Sequence, residues 1–301
     1  MLTPEPAVEE GQVASAEPMP RRRLFKNRML VFGLGLAILW ILLAVLAPVI
    51  APYGPNAVDM AVRLAPPSWQ HLMGTDEYGR DVLTRVLYGA RISIFVAVVS
   101  SLVSVGIGLP LGLYAGYRGG YPAEVVMRLM DILLAFPSLV LALAIGAAIG
   151  PGVVGEIAAI GLVNIPVFAR QAQAQTAAVR QLTYVESARA QGSAFPRLAW
   201  RHILPNVFSP ILVQATLGLG FAVLTAASLS YLGLGIQPPT PDWGSMIADG
   251  SQFVVTGQWW MSVFPGLAIM SLVFAFNTAG DGLRDLLDPR SMRRAGSASL
   301  G

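Results

Sequence analysis

The chain has no cysteine, only two histidines and a single lysine. Without cysteine there is no disulfide, no thiolate metal site and no cysteine nucleophile. His71 and His202 lie far apart, so neither an HExxH zinc motif nor a histidine triad can form. The lysine, Lys26, stands in Leu24-Phe25-Lys26-Asn27 with no glycine-rich turn leading into it. The phosphate-cradling GxxxxGK[ST] loop is therefore absent, and the chain binds no nucleotide by that route. Charge is scarce as well: charged residues make up 12% of the chain, about half the share of a soluble protein. Hydrophobic side chains are abundant, at 54%. That balance describes an all-α polytopic membrane protein.

Residues 1–20 are rich in Pro, Glu and Ala without periodicity and read as a disordered tail. Arg21, Arg22, Arg23, Lys26 and Arg28 then precede an uncharged run from Met29 to Ala51. A run of that length exceeds a signal-peptide core and reads as a retained anchor. Residues 21–91 are thus one span plus an extracytoplasmic loop. Within the loop, residues 71–93 show an apolar face of Val82, Leu83, Val86, Leu87 and Ala90, with Arg80, Asp81, Thr84, Arg85 and Arg91 elsewhere. This predicts an amphipathic helix lying on the membrane surface.

Ile92 to Tyr117 is the second span, with Gly108, Gly112 and Gly116 on one helical face for close helix approach. The third span holds Asp131 near its start and Pro137 inside. An acid there needs a partner, and Arg128, one turn earlier, is the nearest. Glu156 to Ala169 begins a weaker fourth span. Residues 203–241 are uncharged and give one crossing with an irregular tail. Asp242 to Asp249 is a polar break, and Gly250 to Gly280 supplies the sixth span, with Trp259 and Trp260 as an interfacial belt. Leu283, Leu286 and Leu287 make a short amphipathic turn before a basic tail, residues 290–301.

The long polar interruption is Tyr184 to Pro205. Strong helix formers run from Arg170 to Gln191, and Gly192 stops that helix in a left-handed turn. Ser193 can cap a second short helix, Pro196 fits its first turn, and Phe195, Leu198, Ala199 and His202 share a face. Pro205 stands where the next helix starts. These residues resemble the EAA loop of ABC-importer permeases. Glu186, Ala188, Gly192, Leu204 and Pro205 match the family's spacing, whereas Ser187 replaces an Ala and His202 stands in place of an Ile.

Six spans put both termini on one side. Taken as cytoplasmic, that side holds sixteen of the twenty basic residues, leaving Arg63, Arg80, Arg85 and Arg91 outside. The positive-inside rule favours this orientation. It also accounts for the net basic charge, which is then no sign of nucleic-acid binding. Together with the 71–93 segment, the loop resembles the C-type permease subunit of dipeptide, oligopeptide and nickel importers of the bacterial inner membrane. The resemblance implies a five-helix permease core over 92–289 with a coupling loop at 184–205. It implies no enzyme activity in this chain; ATP and magnesium would be used by two ATPase subunits. A second, related permease and an extracytoplasmic binding protein would complete the assembly, and membrane lipid would surround it. Glu186 would anchor the loop, Gly192 would set its angle, and Leu204 and Pro205 would fix its return to the membrane. Relatives with this architecture handle peptides, nickel chelates or glutathione, and no substrate residue is assigned. An ATP-independent secondary transporter would show paired ionisable groups near mid-membrane. Here Asp131 and Glu156 each lie near a span end. That reading and a membrane scaffold remain the alternatives.

Overall fold

The computed structural model describes residues 27–287. The tail assigned to residues 1–20, the basic cluster up to Lys26 and the 290–301 tail lie outside them. Among the described residues the regular structure is helical, apart from an isolated bridge between Thr75 and Asp81. Helix α1 spans Arg28–Ile50, α2 Val82–Arg118, α3 Gly120–Leu134, α4 Ser138–Ile149 and α5 Val153–Val179. Then come α6 (Thr183–Ala190), α7 (Phe195–Leu198), α8 (Leu204–Tyr231), α9 (Trp243–Ser251) and α10 (Trp260–Leu287).

Caps fix the helix starts. The Asn27 side chain accepts from the amides of Met29 and Leu30, and its Nδ2 donates to Gly282 O at 3.1 Å. The start of α1 is thereby pinned to the end of α10. Asp81 caps α2 by accepting from Thr84 N, and Asp242 caps α9 by accepting from Ser245 N.

Among the described residues five helices are long and apolar enough to cross a membrane, or six if the bent pair α3–α4 counts as one span. That pair breaks by 93° at Ala135–Pro137. Proline lacks an amide hydrogen and disfavours helical geometry at the residue before it, here Phe136. The stretch expected as the third span is therefore bent sharply at the proline it contains.

The core gathers α2, α5, α8, α9 and α10. The tightest seam is the expected glycine face. A Cβ at Gly108, Gly112 or Gly116 would meet the α5 backbone: Ile165 O at 2.6 Å, Ala169 O at 2.3 Å and Gln173 O at 2.6 Å. A side chain at the middle position must push whole helices apart, because backbone cannot rotate away. Gly112→Leu is expected to destabilise the folded chain by about 1–3 kcal/mol, typical of overpacking, read as a lower thermal midpoint in detergent. Gly106→Leu on the same helix, where a Cβ meets nothing within 4 Å, is the control and should leave the midpoint in place.

Several local expectations are corrected. The 71–93 segment is not one surface helix. Residues 71–81 form a turn in which Asp76 Oδ1 accepts from the amides of Tyr78 and Arg80, and Asp76 Oδ2 accepts from Arg80 Nε at 2.6 Å. These local bonds outcompete helix, and α2 starts only at Val82. Arg80, Asp81, Thr84 and Arg85 are buried rather than turned to solvent. Helix α2 has 37 residues, about 55 Å at 1.5 Å per residue, so its ends project beyond the ~30 Å hydrocarbon layer.

The polar break at 242–249 is instead helix α9. Trp243 at its start is fully buried, with Nε1 donating to Val86 O at 2.9 Å. Of the expected tryptophan belt, Trp259 is exposed, but Trp260 is buried with Nε1 donating to Thr75 O at 3.1 Å. The turn at Leu283–Leu287 is simply the last part of α10.

Candidate functional site: the loop between α5 and α8

The helix expected over 170–191 is two helices. Helix α5 ends at Val179, residues 180–182 turn, and α6 begins at Thr183. No glycine or proline marks this break. Packing makes it: Val185, 1% exposed, turns inward onto a cluster with Val179, Ile203 and Val207. Arg180 Nη1 also donates to Tyr117 O at 3.0 Å, tying the turn to the end of α2.

The far end of α6 closes as expected at Gly192, with φ +84. Ser193 N donates to Ala188 O at 3.2 Å and Gly192 N to Arg189 O at 2.9 Å. These are the paired bonds of a Schellman turn, which needs a left-handed residue at the glycine. Ser193 does not cap the next helix. Ala194 takes the N-cap position without a side-chain bond, and Pro196 lies in the first turn as expected.

Nor is α7 a free-standing helix. A π-helical turn, Ala199–Ile203, carries it into α8. Pro205 offers no amide hydrogen and its ring would crowd the carbonyl four residues back. The wider π turn falls over the residues where that mismatch must be absorbed. The loop therefore enters the last half of the fold through one continuous rod, Phe195 to Tyr231.

The shared face of Phe195, Leu198, Ala199 and His202 is a packing face. Leu198 and Ala199 are buried, Phe195 stacks near Tyr117 with ring centroids 4.7 Å apart, and His202 faces Tyr184 at 6.1 Å. Asn206 Nδ2 donates both to Tyr184 Oη at 3.0 Å and to His202 O at 2.7 Å. Tyr184 on α6 is thus tied directly to α8. Sequence spacing gave no sign of this pairing, nor of the Arg180–Tyr117 tie.

The opposite surface is open. Glu186, Ser187, Arg189 and Gly192 are exposed and Ala188 half-buried. Ser187 Oγ donates back to Thr183 O. Among the described residues Glu186 has no ion-pair partner, and nothing stands within 4 Å of a Cβ built on Gly192. Leu204 is half-buried and Pro205 exposed at the root of α8. Arg197, Arg201 and Trp200, the last 75% exposed, extend this surface.

The other charged positions make contacts within the chain. Asp131 pairs with Arg170 on α5, not with Arg128, which binds Glu124 at 2.7 Å. The true partner lies 39 residues away in sequence, across the α3–α5 contact. At the other end of the molecule, Asp76, Glu77, Arg80, Arg85 and Asp249 enclose a cavity of about 10 Å³. That is room for one water at most. Burial pushes the Glu77 and Asp249 carboxyls above the usual range, against the pull of Arg80. Glu156 is buried, with Oε1 3.5 Å from Ser230 Oγ. Among the described residues no cluster of three or more metal-ligating acids or histidines forms.

A model of the binding-protein-dependent transport system inner membrane component matches residues 108–293. A model of the N-terminal TM domain of oligopeptide transport permease C matches residues 20–67. A dipeptide transport system permease protein of Alkalihalophilus pseudofirmus is 42% identical over 96% of both chains. A probable D,D-dipeptide transport system permease protein of Escherichia coli is 44% identical over 84% of this chain and 85% of its own length. A glutathione transport system permease protein of Pectobacterium atrosepticum is 40% identical over 96% of both chains. In three dimensions the chain is similar to an inward-facing methionine ABC transporter, with TM-score 0.55 and 20% identity over 68% of this chain and 98% of that one. A membrane-crossing helical bundle with an exposed, internally braced loop, matched over most of its length, identifies the chain as a member of the binding-protein-dependent transport inner-membrane family: it is a permease subunit of an ABC importer, served by a substrate-binding protein and by separate subunits that hydrolyse ATP.

Proposed function

We propose that this chain forms one half of a peptide translocation path, paired with a second, related permease and driven by two ATPase subunits through the loop at 184–205. The observation that carries the reading is the brace behind the exposed Glu186–Gly192 surface. A displacement of α6 has two stiff outlets, Tyr184–Asn206 into α8 and Arg180–Tyr117 into α2. Closure of the ATPases would move α6, and these ties would pass the motion to two spans at once. Coupling of that kind requires contacts that differ between the two states of the path.

Glu186 supplies an unfilled acceptor for the ATPase surface. Ser187 and Ala188 keep that face of α6 small, and Gly192 fixes the elbow. Leu204 and Pro205 set where the rod enters the membrane. In this reading nucleotide and magnesium belong to the ATPase subunits, and the basic loops lie on the cytoplasmic side, as the positive-inside rule favours. Peptides are the substrate class because relatives named for dipeptide and D,D-dipeptide transport are similar over most of the chain.

The test is reconstitution of the complex in vesicles with its binding protein. Uptake of labelled di- and oligopeptides is expected only with ATP and binding protein both present. Flux driven by an ion gradient without the ATPases would overturn the coupling reading. ATP-dependent uptake of a nickel chelate in place of peptides would overturn the substrate class alone.

A further inference from the structure

The outward groove between α1 and α2 carries chemistry that transport coupling does not use. Ile41, Ala44 and Val45 of α1 face Ile94, Phe95 and Val98 of α2 across an apolar groove of about 360 Å³. Each set follows helical spacing, so each presents one stripe to the groove. Arg91 closes one end, and it is exposed. The other basic residues of this side are engaged: Arg80 and Arg85 with Asp76, and Arg63 with Glu77 O at 2.9 Å. Among the described residues Arg91 has no carboxylate partner; its guanidinium stands 5.8 Å from the Tyr88 ring.

Depth decides what this cation meets. Arg91 directly precedes the uncharged run from Ile92 to Tyr117, and about 20 residues suffice to cross the hydrocarbon. The guanidinium therefore falls at headgroup level, while Ile94, Phe95 and Val98 reach one to two turns deeper. We propose that the groove binds one anionic phospholipid, its phosphate on Arg91 and an acyl chain lying between α1 and α2. The proposal rests on α1 and α2 crossing the membrane, and on neither the orientation nor the importer's substrate. An apolar helix of a second permease would fill the walls but leave Arg91 without a counter-charge. A phospholipid satisfies both.

The full complex is purified into nanodiscs of mixed phosphatidylglycerol and phosphatidylethanolamine, and retained lipid is counted by native mass spectrometry. Arg91→Gln is expected to lower retained phosphatidylglycerol about fivefold, the usual effect of one basic side chain at an anionic surface, with phosphatidylethanolamine unchanged. Val98→Trp, which fills the groove, should lower it as well, while Arg63→Gln leaves it as in the parent. Because the chain lacks cysteine, Val45→Cys and Val98→Cys each place this chain's one thiol in the groove, where it reports the neighbour. Efficient cross-linking of either cysteine to another permease overturns the proposal, as does unchanged phosphatidylglycerol in Arg91→Gln.

Discussion

Gly192→Asp is expected to lower ATP-driven uptake by about five- to a hundredfold while leaving the chain folded. The reason lies in the openness of the elbow. Nothing stands within 4 Å of a Cβ at this position, so the isolated chain offers no clash. The left-handed backbone, φ +84, penalises a side chain by about 1–2 kcal/mol, and Asp is among the residues that tolerate it best. A large functional loss would therefore come from whatever covers the elbow in the working complex. A carboxylate trapped there without a partner loses about 1–3 kcal/mol or more of docking, and each 1.4 kcal/mol is tenfold. Gly192→Ala separates the two effects: it has the same strained backbone without the charge, and should retain most of the uptake. Uptake and ATPase rates measured on the same vesicles decide the matter. Uptake at the parent level in Gly192→Asp would remove the elbow from the coupling surface.

Features written in short-range chemistry were legible in the sequence. Gly192 announces its left-handed turn because only glycine sits there freely, and the glycine run at 108, 112 and 116 announces a close helix contact because its period is four. The class of fold follows from charge scarcity. Features set by partners distant in sequence were not legible. The turn at 180–182 has no breaker; Val185 is drawn into the cluster with Ile203 and Val207, and packing overrides the helix propensity of the Ala- and Gln-rich run. Asp131 has Arg128 one turn away, yet pairs with Arg170 because α3 lies against α5. Arg85 reads as the polar side of a surface helix until α9 and the 71–81 turn close over it. In the loop between α5 and α8, likewise, the elbow at Gly192 was legible from its glycine, whereas the Tyr184–Asn206 contact was not.

That buried arginine is where the largest loss of stability is expected. Arg85 is 3% exposed. Its Nε lies 3.6 Å from Asp76 Oδ2, and its Nη1 donates to Pro55 O at 3.1 Å and Pro239 O at 3.4 Å. One side chain thus joins the loop after α1, the 71–81 turn and the stretch between α8 and α9. Without Arg85 the acids Asp76, Glu77 and Asp249 are left with Arg80 alone, and losing one partner of a buried ion pair typically destabilises by about 3–5 kcal/mol. Arg85→Ala should therefore lower the thermal midpoint in detergent sharply, whereas Arg63→Ala, on the exposed side of the same loop, should shift it little. The pH dependence gives a second readout. Burial raises the Asp249 carboxyl, and Arg85 is one of the cations that hold it down. An acid whose folded value is raised favours the fold fully below its unfolded value, and that contribution is lost as pH rises through the folded value. Without Arg85 the folded value moves higher still, so the variant's deficit should widen as pH rises from below the ordinary carboxylate range to above it. A deficit that stays constant across that range would mean that the loss is one of packing and backbone hydrogen bonds, and that the acids around the cavity are balanced by Arg80 alone.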